Sequence, residues 1–249
     1  MSNMKMRQDE INQADTALEG KSAQDVLSWG LKQFFPKIAL ASSFGAEDVV
    51  LIDLLVALNP KITVFTLDTG RLNEETYDVM ERIRRKYGIA IKSYFPNFER
   101  VQALERAKGF YSFRESVEHR QECCGIRKVE PLGRALAELD AWITGLRRTQ
   151  AVTRADVPKV EADTAHGGIV KLNPLADWSE SQVRDYITQH QVPYNALHDA
   201  GYPSIGCAPC TRAIKPGEDV RAGRWWWERP EHKECGLHSK PQSTEDLPS

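Results

Sequence analysis

Few features of this 249-residue chain assign it at a glance. No apolar run approaches the ~20 residues that cross a bilayer. The opening "MSNMKMRQDEINQ" has no apolar core segment, so neither a membrane span nor a secretory signal is expected. An excess of one charge is also missing: 33 Lys and Arg face 35 Asp and Glu, a formal net charge of −2. This disfavours a globally basic nucleic-acid binder, and any anion site must be a local cluster. Internal repeats and long low-complexity linkers are lacking. So are G-x-G-x-x-G and G-x-x-x-x-G-K-[ST], which argues against a dinucleotide site and a Walker loop.

Cysteine is scarce, and the count of five is odd. Cys123 and Cys124 are adjacent in "QECCGIRK", Cys207 and Cys210 form the C-x-x-C of "GCAPCTR", and Cys235 stands alone in "EHKECGLHSK". With no signal peptide the expected compartment is the reducing cytoplasm, where paired cysteines bind metal or do redox chemistry more often than they form structural disulfides. Four thiolates suit either tetrahedral zinc or a cubane iron–sulfur cluster. Adjacent cysteines serve a single small ion awkwardly, because neighbouring side chains must both turn toward it. The cluster is therefore favoured, with a structural zinc clamp as the alternative. Cys235 has no apolar run to bury it and sits among His232, Lys233 and His238. Nearby cationic groups lower a thiol's pKa and make it a better nucleophile.

What is present suits one large α/β domain, since 41% hydrophobic residues over this length can fill a core. "KIALAS" (37–42) leads into the helical "EDVVLIDLLVAL" (47–58), "KITVFTLD" (61–68) into "NEETYDVMERIRRKYG" (73–88), and "IAIKSYF" (89–95) into a helix starting near Asn97. "AWITGL" (141–146) is a later strand, after the helical "RKVEPLGRALAELD". Ser179 and Gln182 form a capping box for a helix in "WSESQVRDYITQHQ" (178–191). The fold expected is α/β with a Rossmann-like, mostly parallel sheet. Residues 1–20 read as a polar, mobile segment, 21–215 as the α/β body, and 216–249 as a C-terminal segment with a polar end. The span 147–168 has little apolar periodicity and reads as a loop over the sheet's end.

In open parallel sheets ligands settle at the carboxyl ends of strands. Two strand ends carry suitable chemistry: "SSFGAEDVV" (42–50), with serines and a glycine at a helix N-terminus that can attract phosphate-like anions, and "LDTGR" (67–71). Each also fits an ordinary capped βα turn. If Gly125 opens a helix, Lys128 projects from the face of Cys124, between a four-thiolate centre and an anionic substrate; a solvated surface lysine is the plainer alternative. "VRAGRWWWE" gives Arg221 and Arg224 a helical i, i+3 relation beside Trp225, Trp226 and Trp227. Core packing is expected for at least two of these tryptophans, although interleaved basic and aromatic residues also suit single-stranded nucleic acid.

Together "SSFGAEDVVL", "LDTGR", "ECCGIRKVEPL", "GLRR", "GCAPCTR", "GRWWWE" and "ECGLH", in this order from residue 42 to 238, resemble the assimilatory sulfonucleotide reductases, in particular those acting on adenylyl sulfate (APS). The resemblance implies a fold like that of the adenine nucleotide α-hydrolases. "SSFG" departs from the "SGG" loop of the related ATP pyrophosphatases, as expected where no pyrophosphate is bound. By the same resemblance Cys123, Cys124, Cys207 and Cys210 would hold one [4Fe–4S] cluster. Ser42, Ser43, Gly45, Asp48, Leu67 and Gly145 would line the adenosine pocket. Lys128, Arg221, Arg224 and His238 would grip the phosphosulfate, with Arg147, Arg148 and Arg154 as further candidates. Cys235 would be the nucleophile, carrying an S-sulfo group until thioredoxin releases sulfite.

The expected partners are thus APS and thioredoxin, with no membrane and no nucleic acid; a homo-oligomer is left open. The alternatives within the enzyme class are a reductase for the 3′-phosphorylated substrate (PAPS), one of dual specificity, and an ATP pyrophosphatase of the tRNA-thiolation kind. From another class, the alternative is a zinc protein engaging nucleic acid through the Arg/Trp segment, against which the overall acidity weighs.

Overall fold

The computed structural model describes residues 6–151, 154–229 and 236–237. Among these residues the strands are β1 (Ile38–Ala41), β2 (Thr63–Leu67), β3 (Ile91–Tyr94), β4 (Ala141–Ile143), β5 (Val160–Asp163) and β6 (Ile169–Leu172). The helices are α1 (Gln8–Leu18), α2 (Ala23–Phe34), α3 (Ala46–Leu58), α4 (Glu74–Tyr87), α5 (Phe98–Lys108), α6 (Val117–Cys124), α7 (Glu130–Leu136) and α8 (Glu180–Gln189). One six-stranded sheet runs in the order β3-β2-β1-β4-β6-β5, parallel throughout except for β5, which pairs antiparallel with β6.

Side chains alternate across the sheet, as the two-residue period of a strand requires. Ile38 and Leu40 of β1, Val64 of β2, and Ala141 and Ile143 of β4 enter the larger core with α2, α3 and α8. Ala39, Phe65 and Trp142 face the other way, onto Leu132, Ala135 and Leu136 of α7. Helix α3 is buried from Asp48 through Ile52 and again at Leu54 and Leu55. An apolar surface on all sides is what a helix in the middle of a core needs.

Local signals fall where the capping rules put them. Gly88 ends α4 in the left-handed conformation (φ 63°), whereas Asn73 before it makes no side-chain cap bond and donates to the Gly206 carbonyl at 3.2 Å. The Asn97 side chain accepts from the Arg100 N–H at the start of α5, and Ser179 and Gln182 form the capping box of α8.

Two expectations are corrected. The segment 1–20 is not simply a mobile polar stretch. Within it Gln8–Leu18 form α1, whose Ile11 and Leu18 enter the core and whose Asp15 accepts from the Val160 N–H at 2.9 Å. Its apolar positions are too sparse to signal a buried face until β5 provides one. Residues 147–168 are not all loop, because Val160–Asp163 form the antiparallel edge strand. "VEAD" carries little β propensity, and β6 supplies its pairing.

No described helix is long and apolar enough to cross a membrane.

Candidate active site

The sheet order reverses about β1, which lies between β2 and β4. In a doubly wound sheet this opens a crevice at the carboxyl ends of the strands. A cavity of about 510 Å³ lies there, and Ser42, Ser43, Gly45, Asp48, Leu67 and Gly145 all line it. The junction of β1 and α3 is tightly organised. The Ser43 N–H and Oγ donate to Asp48 Oδ2 at 2.6 and 2.8 Å, Ser42 Oγ accepts from the Phe44 N–H at 3.1 Å, and buried Phe44 turns the chain at φ 59°. Burial pushes the Asp48 carboxyl up to about 6, against the hydrogen bonds from Ser43. The Asp48 carboxyl thus fastens the turn that leads from β1 into α3. Gly145 has to be glycine, since a Cβ there would stand 2.5 Å from Asp48 Oδ1 and 2.9 Å from Glu47 Cβ.

Cations line the same cavity: Lys128, Arg147, Arg154, Arg184, Arg221 and Arg224. They are held by the protein itself: Arg147 pairs with Glu47 at 2.8 Å, Arg154 donates to Gln150 Oε1 at 2.6 Å, and Arg224 Nη1 donates to Ser204 Oγ and the Ile205 carbonyl at 3.2 and 3.3 Å. Arg148 is turned away. Its guanidinium makes a bidentate pair with Glu19 at 2.7 and 2.8 Å and also reaches the Val157 carbonyl, so it braces α1 and does not line the cavity. Arg221 and Arg224 belong to a turn and not to a helix, the Arg224 N–H donating to the Arg221 carbonyl at 2.9 Å. Gly206 makes room for Arg224, because a Cβ there would lie 2.5 Å from Nη2.

A second, smaller chamber adjoins the first and is lined by all four paired cysteines together with Arg71, Arg120, Arg127 and Lys128. Lys128 and Cys207 line both spaces. Cys123 and Cys124 close α6, which does not stop at Gly125. It continues through a π-helical turn, Gly125–Val129, into α7. The expectation that Gly125 opens a helix is corrected accordingly. Pro131 has no N–H to offer the carbonyl one turn back, and widening that turn accommodates it. Ala208–Cys210 form a 3₁₀ turn, held on one side by the Ala208 N–H to the Arg71 carbonyl and on the other by the Trp225 N–H to the Cys210 carbonyl.

The paired cysteines are free thiols. Burial raises the Cys123 thiol and pushes Cys210 up to about 12. Burial also opposes ionisation of Cys207, but Lys128, the Thr69 hydroxyl at 3.3 Å and Arg224 outweigh it and bring that thiol below its usual value. Among the described residues no group of three or more His, Cys, Asp or Glu side chains is set to hold a metal ion; the four sulfurs line a shared chamber. Four thiol donors on one enclosed space, with four basic side chains around it, fit a polynuclear group held by four thiolates, whose negative charge the cations offset.

His232, Lys233, Cys235 and His238 lie outside the described residues, whereas Leu237 is described and lines the larger cavity. Of the tryptophans, Trp225 is fully buried, Trp227 packs on Phe113, and Trp226 is exposed, which agrees with packing for two of the three. Residue-level reasoning missed Arg71, Arg120 and Arg127 beside the cysteines, as well as Thr69 on Cys207. A signal for Thr69 was present in "LDTGR", since a hydroxyl at a strand's end faces whatever the crevice holds.

Residues 37–213 match the family model described as the phosphoadenosine phosphosulfate reductase domain. A relative from Allochromatium vinosum, named adenosine 5′-phosphosulfate reductase, is 55% identical over 203 residues, 82% of this chain and 79% of its own. The solved phosphoadenylyl-sulfate reductase of Candida auris, a phosphate complex, superposes with a TM-score of 0.73 at 29% identity, covering 86% of this chain and all of that one. FMN adenylyltransferase from Candida glabrata, with a TM-score of 0.52 at 15% identity over 94% of this chain and 86% of its own, shares the fold alone. A crevice at the strand-order reversal, joined to a chamber of four thiols within a chain so similar in sequence and shape, has one consistent reading: the chain belongs to the phosphoadenosine phosphosulfate reductase domain family.

Proposed function

We propose that the chain reduces adenylyl sulfate to sulfite and AMP in sulfate assimilation, the activity for which its curated relatives are named. The observation that carries this reading is the wall shared by the two spaces. Lys128 and Cys207 line both the nucleotide-sized cavity and the thiol chamber, and Leu237, the second residue after Cys235, lines the former. Ser42, Ser43, Gly45, Asp48, Leu67 and Gly145 receive the adenosine. Lys128, Arg221 and Arg224, aided by His238, take the phosphosulfate, with Arg147 and Arg154 stationed beyond their partners Glu47 and Gln150.

Cys123, Cys124, Cys207 and Cys210 hold a [4Fe–4S] cluster. When bound, that group contributes order and a fixed charge beside Lys128, and the electrons come from elsewhere. The Cys235 thiolate attacks the sulfur of APS, the bond from sulfur to the phosphate oxygen breaks, and AMP leaves with that electron pair. An S-sulfo group remains on Cys235. A thiolate of thioredoxin then attacks the Cys235 sulfur, sulfite departs, and the second thioredoxin thiol resolves the mixed disulfide, so that two electrons pass from dithiol to sulfur. The unit is read as a body in which α1 packs with residues 21–215, and a C-terminal segment, 216–249, that delivers Cys235. The cytoplasm is the compartment proposed.

The test is anaerobic purification followed by assay with APS and thioredoxin. The protein should be brown, with iron and sulfide in equal amounts, and should release sulfite and AMP together. Colourless protein with stoichiometric zinc would overturn the cluster, and a higher kcat/KM for PAPS than for APS would overturn the substrate.

A further inference from the structure

Arg120 is fully buried one turn before Cys124 on α6, and its guanidinium meets a different kind of partner on each side. Toward the chamber it lines the wall and takes the Cys124 side chain as a hydrogen-bond partner. Away from it, Nε and Nη2 donate to Glu228 Oε1 and Oε2 at 2.8 and 3.0 Å, a bidentate pair whose side chains are 1% and 4% exposed. Its Cζ also lies 4.7 Å from the centroid of Trp225. Trp225 in turn carries Arg224, whose Cζ is likewise 4.7 Å from that centroid and which lines the nucleotide cavity.

The turn that joins these groups is unusual. Trp225 is 1% exposed and has φ 40°, a conformation that a bulky residue keeps only where its surroundings over-determine it. The Trp225 N–H donates to the Cys210 carbonyl at 3.1 Å, and the Glu228 N–H donates to the Trp225 carbonyl at 2.8 Å. Residues 225–228 are therefore fastened to both cysteine-bearing segments, and in sequence they stand shortly before Cys235.

An ion pair so deeply buried gives up the hydration of both charges, and replacing such a pair with apolar side chains is often neutral or stabilising. Stability alone does not account for it here. We propose that Arg120 is a positioning residue. Through Glu228 and Trp225 it ties the 225–228 turn, at the root of the segment that carries Cys235, to the thiol chamber. This rests on the proposed function above. A group held by the four cysteines would fix both cysteine-bearing segments, and the Arg120–Glu228 pair together with the bond from the Trp225 N–H to the Cys210 carbonyl would carry that order into the turn.

The variants are Glu228→Gln and Arg120→Lys, prepared with iron bound. Three quantities are measured: AMP binding, the rate at which the SO₃ mass appears on Cys235 in a single turnover without reductant, and the rate of tryptic cleavage after Lys233 with and without iron. Removing iron from the unaltered protein should speed that cleavage. Glu228→Gln should keep the visible spectrum and AMP binding, slow adduct formation about tenfold or more, and be cleaved faster even with iron present. Arg120→Lys, which keeps the charge but not the fork, should fall between the two.

Adduct formation and cleavage at unaltered rates in a folded Glu228→Gln protein would overturn the inference. If that variant does not fold, the apolar double variant Arg120→Met/Glu228→Met takes its place, with cleavage after Lys233 expected to become independent of iron. Cleavage that still responds to iron in the double variant would equally overturn it. If the unaltered protein forms no adduct at all, the proposed function has failed, while the cleavage comparison still decides the role of Arg120.

Discussion

Lys128 and Cys207 stand together on the wall between the two cavities, and the charge of Lys128 is the largest influence favouring the Cys207 thiolate. Lys128 sits in the π-helical turn that follows directly on Cys123 and Cys124, so one widened turn brings its ammonium toward a thiol from the far C-x-x-C loop.

Lys128→Ala should therefore leave the fold intact and weaken both capture and turnover. A charge-assisted contact of this kind is worth about 1.5–3 kcal/mol, roughly ten- to a hundredfold in kcat/KM for APS. Unaltered kinetics would make Lys128 a wall residue only.

Cys235→Ser should retain the brown chromophore and bind APS, because the proposed cluster ligands are the other four cysteines, yet produce no sulfite. Intact-mass analysis of the unaltered protein with APS alone should show one added SO₃ group and released AMP. Thioredoxin should then remove the adduct. An adduct located on Cys123, Cys124, Cys207 or Cys210 would contradict the role given to Cys235.

Asp48 ties stability to pH. Its carboxyl is raised from an ordinary 3.8 to about 6, so the folded protein holds the proton more tightly than the unfolded chain does. The resulting stabilisation is complete below the unfolded value and is lost as pH rises through about 6. Denaturation compared at pH 4 and pH 8 should show Asp48→Asn gaining on the unaltered protein by up to about 3 kcal/mol over that window. A difference that stays level with pH would mean that Asp48 is already ionised at low pH.

Gly145→Ala should be costly although it adds a single methyl group. The new carbon would meet Asp48 Oδ1 and Glu47 Cβ, both on the first turn of a buried helix that cannot easily retreat. Overpacking of this kind costs about 1–3 kcal/mol and here also shifts the Ser43–Asp48 bonds that shape the pocket. Calorimetry should show a lower Tm, and AMP titration a weaker Kd.

Much of this arrangement was legible from short stretches of chain, because the physics behind it is local. Strands β1 to β4 follow from β-branched and apolar runs, α4 from the helical period of residues 73–88, and α8 from Ser179 and Gln182. The two cysteine pairs declare four thiols, and the strand ends at Ser42 and Leu67 declare the crevice, since parallel strands joined by helices present those ends on one side. Other features depend on partners far away in the chain. Strand β5 has no pattern of its own and exists because β6 offers a ladder. Helix α1 is recruited by Val160. Arg148 faces Glu19 and not the cavity, because a guanidinium takes whichever carboxylate the folded chain brings within reach. The union of Thr69 with Cys207 and of Arg120 with Glu228 could not be read from spacing, for each joins residues that only the closed sheet and the returning C-terminal turn make neighbours.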